Sequence, residues 1–347
     1  MTAPPVATDD LVALDVGGAA IKAADGRGWA ATAAFPLWRE WRRLPEALTA
    51  IVRPRQPQRL VATMTGEIAD CFPSRSAGVA AIVAALEEAG RAVGCSAPVG
   101  IYLLDGSIAA ADEARARPLA AAASNWHALA RLAATLCGGR RSLLVDIGST
   151  TTDIVPLGAR GPEPFATDDA GRMRTGELVY TGIERTPLPA LVRSLPHRGI
   201  RRPVASERFA ESRDVWLLLG GLEEDAACRD TADGGPTTRD AARVRIARSL
   251  LLDPETYTPA DAAEAAECCA AVQARLVSRA LRRVAAAVGR PPQELVLAGH
   301  GTPLARRALA ATGWRPELHV LADRLGAAVS RVAPAHAVAI IARGALG

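Results

Sequence analysis

The chain has 347 residues, of which 49% are hydrophobic and 22% charged, and its formal net charge is +4. This length favours two lobes, because single cores stop growing near about 250 to 300 residues. Arginines are interleaved with acidic residues and aromatic residues make up only 4%, a pattern that disfavours a nucleic-acid-binding protein. No apolar run reaches the roughly 18 residues of a membrane span, so we expect neither nucleic acid nor membrane as a partner.

The first ten residues, MTAPPVATDD, lack the basic and apolar regions of a secretory leader. Six cysteines occur without a CxxC pair or zinc-type spacing, and no disulfide framework is needed at this length. We therefore expect a cytoplasmic protein with free thiols.

Short apolar runs ending in Asp or Gly recur and are typical of strands. They begin near residues 11, 59, 99, 142, 214 and 294, and alanine-rich stretches with helical periodicity lie at 76–94, 112–137 and 259–288. This alternation predicts an α/β fold. In the last stretch, Thr258 is the expected N-cap and Gly289 follows the end. We expect an N-terminal lobe at 1–140 and a C-terminal lobe at 141–347, with an irregular insertion at about 155–215.

The first motif, DVGGAAIK at residues 15–22, follows a predicted strand. Gly17 and Gly18 allow backbone N–H groups to approach an anion closely, and Asp15 could hold a hydrated Mg²⁺. The chain has forty arginines and a single lysine, Lys22, so a merely solvated cation here would be expected to be arginine. The motif predicts phosphate binding, although an ordinary β-hairpin with a solvated lysine would look similar.

The second motif, DIGSTTTD at residues 146–153, also follows a predicted strand. Its hydroxyl and backbone groups suit phosphate oxygens, and its carboxylates at Asp146 and Asp153 suit magnesium. The candidate phosphate ligands are Gly148, Ser149, Thr150 and Thr151. A β-branched strand with a polar edge is the alternative. Two copies of one motif predict two lobes of related construction.

A third candidate loop, AGHGTP at 298–303, places a glycine turn between a strand and a helix. Such a turn directs backbone amides of Gly299 and Gly301 toward a ligand. His300 could contact that ligand or act as an acid or base, or it could be a plain loop residue.

The segment TMTGEIADCF at 63–72 brings polar side chains to the end of a predicted strand, where α/β proteins place function. Glu67 or Asp70 could serve as a general base. The alternative is helix capping and a surface ion pair that involves Arg75.

Together, DVGGAAIK, DIGSTTTD and AGHG resemble the two phosphate loops and the adenosine loop of the actin, heat-shock chaperone and sugar-kinase superfamily. VATMTGEIADCF, GELVYTGIERTPL and TADGGPTTRDAARVRIAR are similar to the hydantoinase/oxoprolinase family, and within it to the tetrahydromethanopterin-linked C1 transfer pathway proteins. The resemblance implies a two-lobed actin-like ATPase fold of duplicated ribonuclease-H-like domains, with the ligand cleft between the lobes. One position departs from the family pattern, DxGGANxK, because Ala20 replaces the asparagine.

What the resemblance implies is a transferase of methanofuran biosynthesis. It would join an aminomethylfuran-methyl diphosphate to the phenol of tyramine, γ-glutamyltyramine or a tyrosine-derived acceptor and release pyrophosphate. In that reaction Lys22 and a Mg²⁺ ion held by Asp15 and Asp146 would neutralise the leaving group. Glu67 would take the phenol proton, and Asp70 is the second candidate for this role. Residue by residue, the phosphate loops carry over as Asp15, Gly17, Gly18, Lys22, Asp146, Gly148, Ser149, Thr150, Thr151, Asp153, Gly299 and Gly301.

Two alternatives stay open at this point. The same loops could bind ATP with Mg²⁺ in a kinase or in an oxoprolinase/hydantoinase-like amidohydrolase subunit. They could also serve a nucleotide-dependent scaffold without enzymatic activity. The sequence decides neither the acceptor nor the oligomeric state.

Overall fold

A computed structural model describes residues 11–344 and confirms the predicted α/β class. The N-terminal decapeptide, on which we predicted the absence of a secretory leader, lies outside these residues. Among residues 11–344, no helix is long and apolar enough to cross a membrane.

The chain divides into two compact units. Of the described residues, the first unit comprises 11–142, 157–169 and 319–344, and the second comprises 143–156 and 170–318. The change at residue 142 lies close to the predicted lobe boundary. The segments 157–169 and 319–344, which we had placed in the C-terminal lobe, group with the first unit instead.

The first part of the chain, through residue 134, forms six strands and six α-helices. The strands are β1 (Leu11–Val16), β2 (Ala20–Ala24), β3 (Ala30–Ala34), β4 (Arg59–Met64), β5 (Gly100–Tyr102) and β6 (Ile108–Ala110). The helices are α1 (Leu37–Glu40), α2 (Leu44–Val52), α3 (Arg75–Val93), α4 (Ala111–Ala116), α5 (Pro118–Ala121) and α6 (Asn125–Ala134), with 3₁₀ turns at Trp41–Arg43 and Arg53–Arg55. The predicted single helix over 112–137 is therefore divided, because Pro118 begins a new helix and Ala123 adopts a positive φ of 47°.

The rest of the chain adds eight strands and nine α-helices. The strands are β7 (Ser142–Ile147), β8 (Thr152–Gly158), β9 (Gly161–Pro162), β10 (Leu178–Val179), β11 (Ser194–His197), β12 (Ile200–Pro203), β13 (Glu294–Gly299) and β14 (Glu317–Val320). The helices are α7 (Asp169–Thr175), α8 (Leu188–Leu191), α9 (Ser212–Leu218), α10 (Arg239–Ser249), α11 (Pro259–Val288), α12 (Thr302–Thr312), α13 (Leu321–Leu325), α14 (Ala327–Arg331) and α15 (Ala333–Ala342).

The first sheet has the strand order β3-β2-β1-β4-β5-β6. β1 runs antiparallel to β2 and parallel to β4, so the carboxyl ends of β1 and β4 meet at one edge. All six residues of β1 are buried, as expected for a central strand covered on both faces. Helix α15 packs against β1 and β4, and this contact explains why the C-terminal segment groups with the first unit.

The second sheet has the order β10-β8-β7-β13-β14. The strand that carries the second motif, β7, lies between its hairpin partner β8 and the later strand β13. In the first sheet, β1 lies in the same way between β2 and β4. The two sheets thus share the arrangement that the repeated motif predicted.

Two predictions about local structure had different outcomes. Helix α11 begins as expected, with Thr258 and Asp261 forming a capping box, and ends at Gly289 with a positive φ of 96°. The apolar run near residue 214, which we predicted to be a strand, is helix α9. Glu211 and Asp214 form a capping box at its start, and short apolar runs do not separate a buried strand from a buried helix by period.

Candidate functional site

The first motif forms a tight turn between β1 and β2. The Gly17 N–H donates to the Ala20 carbonyl at 3.0 Å and closes the turn. The carbonyls of Gly18 and Ala19 are occupied, since they accept from Leu37 and Phe35, each at 3.0 Å. The segment 35–37 therefore supports the turn from one side.

This support orients the free N–H groups of the turn. In a trans peptide the C=O and the following N–H point in opposite directions. The bond from Leu37 to the Gly18 carbonyl therefore directs the Ala19 N–H away from the supporting segment. Within residues 11–344, the N–H groups of Gly18 and Ala19 have no hydrogen-bond acceptor. Consecutive N–H groups in this state suit an anion. We call a turn with this arrangement an anion-binding turn, and phosphate binding itself stays a prediction.

Asp15 and Lys22 are cross-strand partners beside this turn. The Lys22 ammonium lies 3.6 Å from Asp15 Oδ2, and its side chain is 33% exposed. Asp15 is buried, and its Oδ1 has no hydrogen-bond partner among the described residues. Burial raises the pKa of Asp15, while the charge of Lys22 acts in the opposite direction. A buried carboxylate oxygen without a partner fits a cation ligand.

The loop after β4 packs directly on the first turn. The N–H groups of Thr65 and Gly66 both donate to the Val16 carbonyl at 3.0 Å. A Cβ on Gly66 would lie 2.5 Å from Leu37 Cδ2 and 3.2 Å from the backbone carbon of Gly17, so glycine allows this close approach. The neighbouring residue, Glu67, is thereby fixed next to the anion-binding turn.

Glu67 is 1% exposed, and burial raises its pKa to about 7. Arg75 donates to Glu67 Oε1 at 3.3 Å, whereas Oε2 has no hydrogen-bond partner among residues 11–344. A second carboxylate, Asp169, accepts from Arg75 at 2.6 Å. The environment of Glu67 therefore suits an acid or base that works near neutral pH. Asp70, the second candidate, is exposed.

The second motif repeats the geometry of the first. The Gly148 N–H donates to the Thr151 carbonyl at 3.0 Å, the same turn bond as Gly17 to Ala20. Among the residues that the structure describes, the N–H groups of Ser149 and Thr150 donate to no acceptor. Each unit thus carries an anion-binding turn of its own.

The support of the second turn comes from the segment 181–186, which sequence reasoning did not assign to the site. Ile183 donates to the Gly148 carbonyl at 3.0 Å, and Glu184 and Arg185 donate to the Ser149 carbonyl at 3.0 and 2.9 Å. A Cβ on Gly182 would lie 2.5 Å from the Ser149 carbonyl. The block GELVYTGIERTPL already contained this glycine, but only the fold shows what it contacts.

The third loop also packs on the second turn. The Gly301 N–H donates to the Ile147 carbonyl at 3.0 Å. Gly299 has a positive φ of 74° and packs closely on the same carbonyl. His300 Nε2 lies 3.0 Å from Glu184 Oε1, and Arg213 donates to Glu184 Oε2 at 2.8 Å. His300 is thus held by a carboxylate that is itself held by an arginine.

The remaining predicted metal ligands lie in the second unit. Asp146 is half-buried, and a Cβ on Gly299 would lie 2.6 Å from its Oδ1. Asp153 forms an ion pair with the buried Arg172 at 2.9 Å. Asp15 forms a longer ion pair, at 3.6 Å, and keeps Oδ1 without a partner among the described residues, so it fits a metal ligand better than Asp153 does.

The sequence profile of the hydantoinase/oxoprolinase family matches residues 59–183. The matched part contains β4, Glu67, the second turn and the first half of the segment that supports it, residues 181–183. The resemblance predicted from the sequence is confirmed over these residues.

The comparison with curated proteins gives two relatives of this chain that carry the same name. Both are named "(4-{4-[2-(gamma-L-glutamylamino)ethyl]phenoxymethyl}furan-2-yl)methanamine synthase". The protein of Methanocaldococcus jannaschii is 34% identical over 223 residues, which cover 64% of this chain. The chain spans just under two thirds of that relative, at 64% of its length. The protein of Methanococcus vannielii is 29% identical over 210 residues, or 60% of this chain and 93% of that protein.

Among solved structures, a ROK family glucokinase from Streptomyces griseus, in complex with glucose and AMPPNP, has a TM-score of 0.49 and 15% sequence identity. The alignment covers 96% of this chain and 99% of the glucokinase.

Proposed function

We propose that the chain is a transferase of methanofuran-type cofactor biosynthesis. It would condense an aminomethylfuran-methyl diphosphate with the phenol of a tyramine, γ-glutamyltyramine or tyrosine-derived acceptor and release pyrophosphate. The names of the two archaeal relatives support this proposal, since they describe a furan-2-yl methanamine joined to a phenoxymethyl group.

The observation that carries the proposal is the burial of Glu67 together with its raised pKa. An ether synthase needs a base for a phenol proton, and the best catalytic pKa lies near the working pH. Glu67 is a buried carboxyl with a pKa of about 7 and one oxygen without a partner in the described part of the chain. It also sits on the loop that packs against the first anion-binding turn.

In the proposed reaction, Glu67 takes the proton of the phenol hydroxyl. The phenol oxygen forms a bond to the methylene carbon of the furan. The bond between that carbon and the diphosphate oxygen breaks, and its electron pair leaves with pyrophosphate. Because a furan ring stabilises positive charge on this carbon, interactions with the leaving group should govern the rate more than the base does.

The first anion-binding turn supplies those interactions. N–H groups fixed before the reaction stabilise charge as it develops on the leaving group, because they need no reorganisation. Lys22 adds a compact positive charge beside the first turn. Asp15 is the ligand that best fits Mg²⁺, and Asp146 is a further candidate in the second unit. A bound Mg²⁺ would supply additional neutralisation of the diphosphate.

Incubation of the purified protein with the furan diphosphate, Mg²⁺ and one phenolic acceptor at a time tests the proposal. We expect ether and pyrophosphate in equal amounts, measured by mass spectrometry and a pyrophosphate assay. Conversion of ATP together with phosphorylation of a furan alcohol would contradict the synthase and support a kinase.

Ligand-dependent melting provides an independent test of the alternatives. With Mg²⁺ present, the synthase should melt at a higher temperature in pyrophosphate than in its absence. Stabilisation by ATP and none by pyrophosphate would favour ATP-dependent chemistry.

A further inference from the structure

One arginine in the first unit serves two carboxylates. Arg75 Nη1 lies 3.3 Å from Glu67 Oε1, and its Nη2 lies 2.6 Å from Asp169 Oδ2. The shorter contact belongs to Asp169, which lies 94 residues away in the sequence. The guanidinium is thus shared unequally, with its closer contact away from Glu67.

The three groups differ in burial, and this difference decides how strongly the unequal sharing affects Glu67. Glu67 is 1% exposed, whereas the side chains of Arg75 and Asp169 are 28% and 24% exposed. An ion pair of a fully buried carboxylate with a bidentate arginine would keep that carboxylate ionised and weakly basic. The second oxygen of Glu67 remains without a partner among the described residues, so the pair is not bidentate.

We propose that Asp169 is a positioning residue that holds the Arg75 guanidinium and so keeps Glu67 able to accept a proton. This inference rests on the proposed role of Glu67 as the base. Asp169 touches neither the reacting atoms nor Glu67 in the contacts described, and it acts through Arg75.

The two charged groups near Glu67 shift its pKa in opposite directions. Burial is the main reason why the pKa of Glu67 is raised; the charge of Arg75 lowers it and that of Asp169 raises it. Asp168 adds a further negative charge near Arg75. Removing the charge of Asp169 should therefore lower the pKa of Glu67 for two reasons. The repulsion between the two carboxylates is lost, and Arg75 becomes able to pair more closely with Glu67.

The test measures the titration of Glu67 directly. In the full chain labelled with carboxyl-¹³C glutamate, the NMR signal of Glu67 is assigned as the one lost in E67Q, and its midpoint is followed with pH. We expect D169N to lower this midpoint by about one pH unit, the low end of the effect of a neighbouring opposite charge. R75M should raise it.

A double-mutant cycle separates positioning from simple repulsion. In the R75M background, D169N should shift the midpoint by less than half as much as in the wild type. An equal shift in both backgrounds would show that Asp169 acts as a distant charge only, and would overturn the proposal. D168N is the matched control, with the same charge change one residue away, and should shift the midpoint less than D169N.

The pH dependence of ether formation distinguishes this inference from the proposed function. If D169N moves the midpoint of Glu67 and the acid limb of the rate profile together, both proposals stand. If the Glu67 midpoint moves but the rate profile does not, Glu67 is not the base and the proposed mechanism fails. If neither moves, Asp169 has no positioning role, and the synthase proposal is unaffected.

Discussion

Gln273 donates its side-chain amide to the carbonyl of Gly182 at 2.7 Å, and so connects the long helix α11 to the segment that supports the second anion-binding turn. The same amide donates to Thr181 Oγ1 at 2.9 Å, and Gln273 Oε1 accepts from Trp216 at 2.8 Å. Gln273 is fully buried. Gln273 thus links α11 and α9 to the segment that supports the turn.

Replacing Gln273 with leucine should weaken both folding and pyrophosphate binding. The change keeps side-chain volume but leaves the buried indole N–H of Trp216 without its acceptor, at a cost of about 1–3 kcal/mol, whereas Thr181 keeps its hydrogen bond to Thr186. Urea unfolding and calorimetry with pyrophosphate measure the two effects. Gln293→Leu, at an exposed glutamine, is the control and should leave pyrophosphate affinity unchanged. Loss of stability with full affinity would show that the helix does not position the turn.

Gly299→Ala should destabilise the protein more than Gly313→Ala. Both glycines have a positive φ, 74° and 77°, so the cost of about 1–2 kcal/mol for a left-handed alanine is common to both. At Gly299 the new methyl would also collide with the Ile147 carbonyl, whereas at Gly313 it meets open space. The difference in free energy of unfolding between the two variants isolates this close approach. Equal destabilisation would contradict it.

Lys22→Ala should abolish pyrophosphate release, because it removes the cation beside the first turn and leaves the buried Asp15 without its ion pair. Lys22→Arg should also lose most activity, since a planar guanidinium does not replace a compact ammonium in a tight turn. Steady-state rates of pyrophosphate release measure both. Arg39→Ala removes the same charge from an exposed position nearby in sequence and should be active. Wild-type rates in Lys22→Ala would eliminate the assigned role.

The stability conferred by Glu67 should depend on pH with a defined sign. Its pKa is about 7 in the folded protein against an ordinary value of 4.5, so folding takes up a proton between these values. The contribution is complete below about pH 4.5 and is lost as the pH rises through 7. Relative to Glu67→Gln, the wild type should lose up to about 3 kcal/mol from pH 4 to pH 8.

Urea unfolding of both proteins across this range measures the difference. Glu88→Gln, at an exposed glutamate on α3, should show no comparable dependence. A constant difference between wild type and Glu67→Gln would mean that the carboxyl is ionised throughout.

Those parts of the fold that depend on local signals could be predicted from the sequence. The glycines of the first two motifs make the turns, and Thr258 and Gly289 bound α11, because turn and capping preferences act over a few residues. The run near residue 214 was assigned wrongly, since its period does not distinguish strand from helix.

The parts of the site that depend on distant contacts could not be predicted. Glu184 reaches His300 over 116 residues, and Asp169 reaches Arg75 over 94. Nothing in either local sequence distinguishes these acids from solvated ones, because their roles arise only when the sheets form. Sequence therefore indicated Glu67 as a candidate base but gave no account of its pKa.

Lys22 is the only lysine of the chain, and one third of its side chain is exposed. An amine-selective reagent can therefore label one defined side chain, at the first anion-binding turn, besides the α-amino group of the chain. Mass measurement of the peptide that contains Lys22, after labelling in the presence and absence of a candidate substrate, would report occupancy of that turn without mutagenesis and without a known reaction. Since arginine accounts for the other forty Lys and Arg residues, Lys22 can serve as a selective probe of this turn.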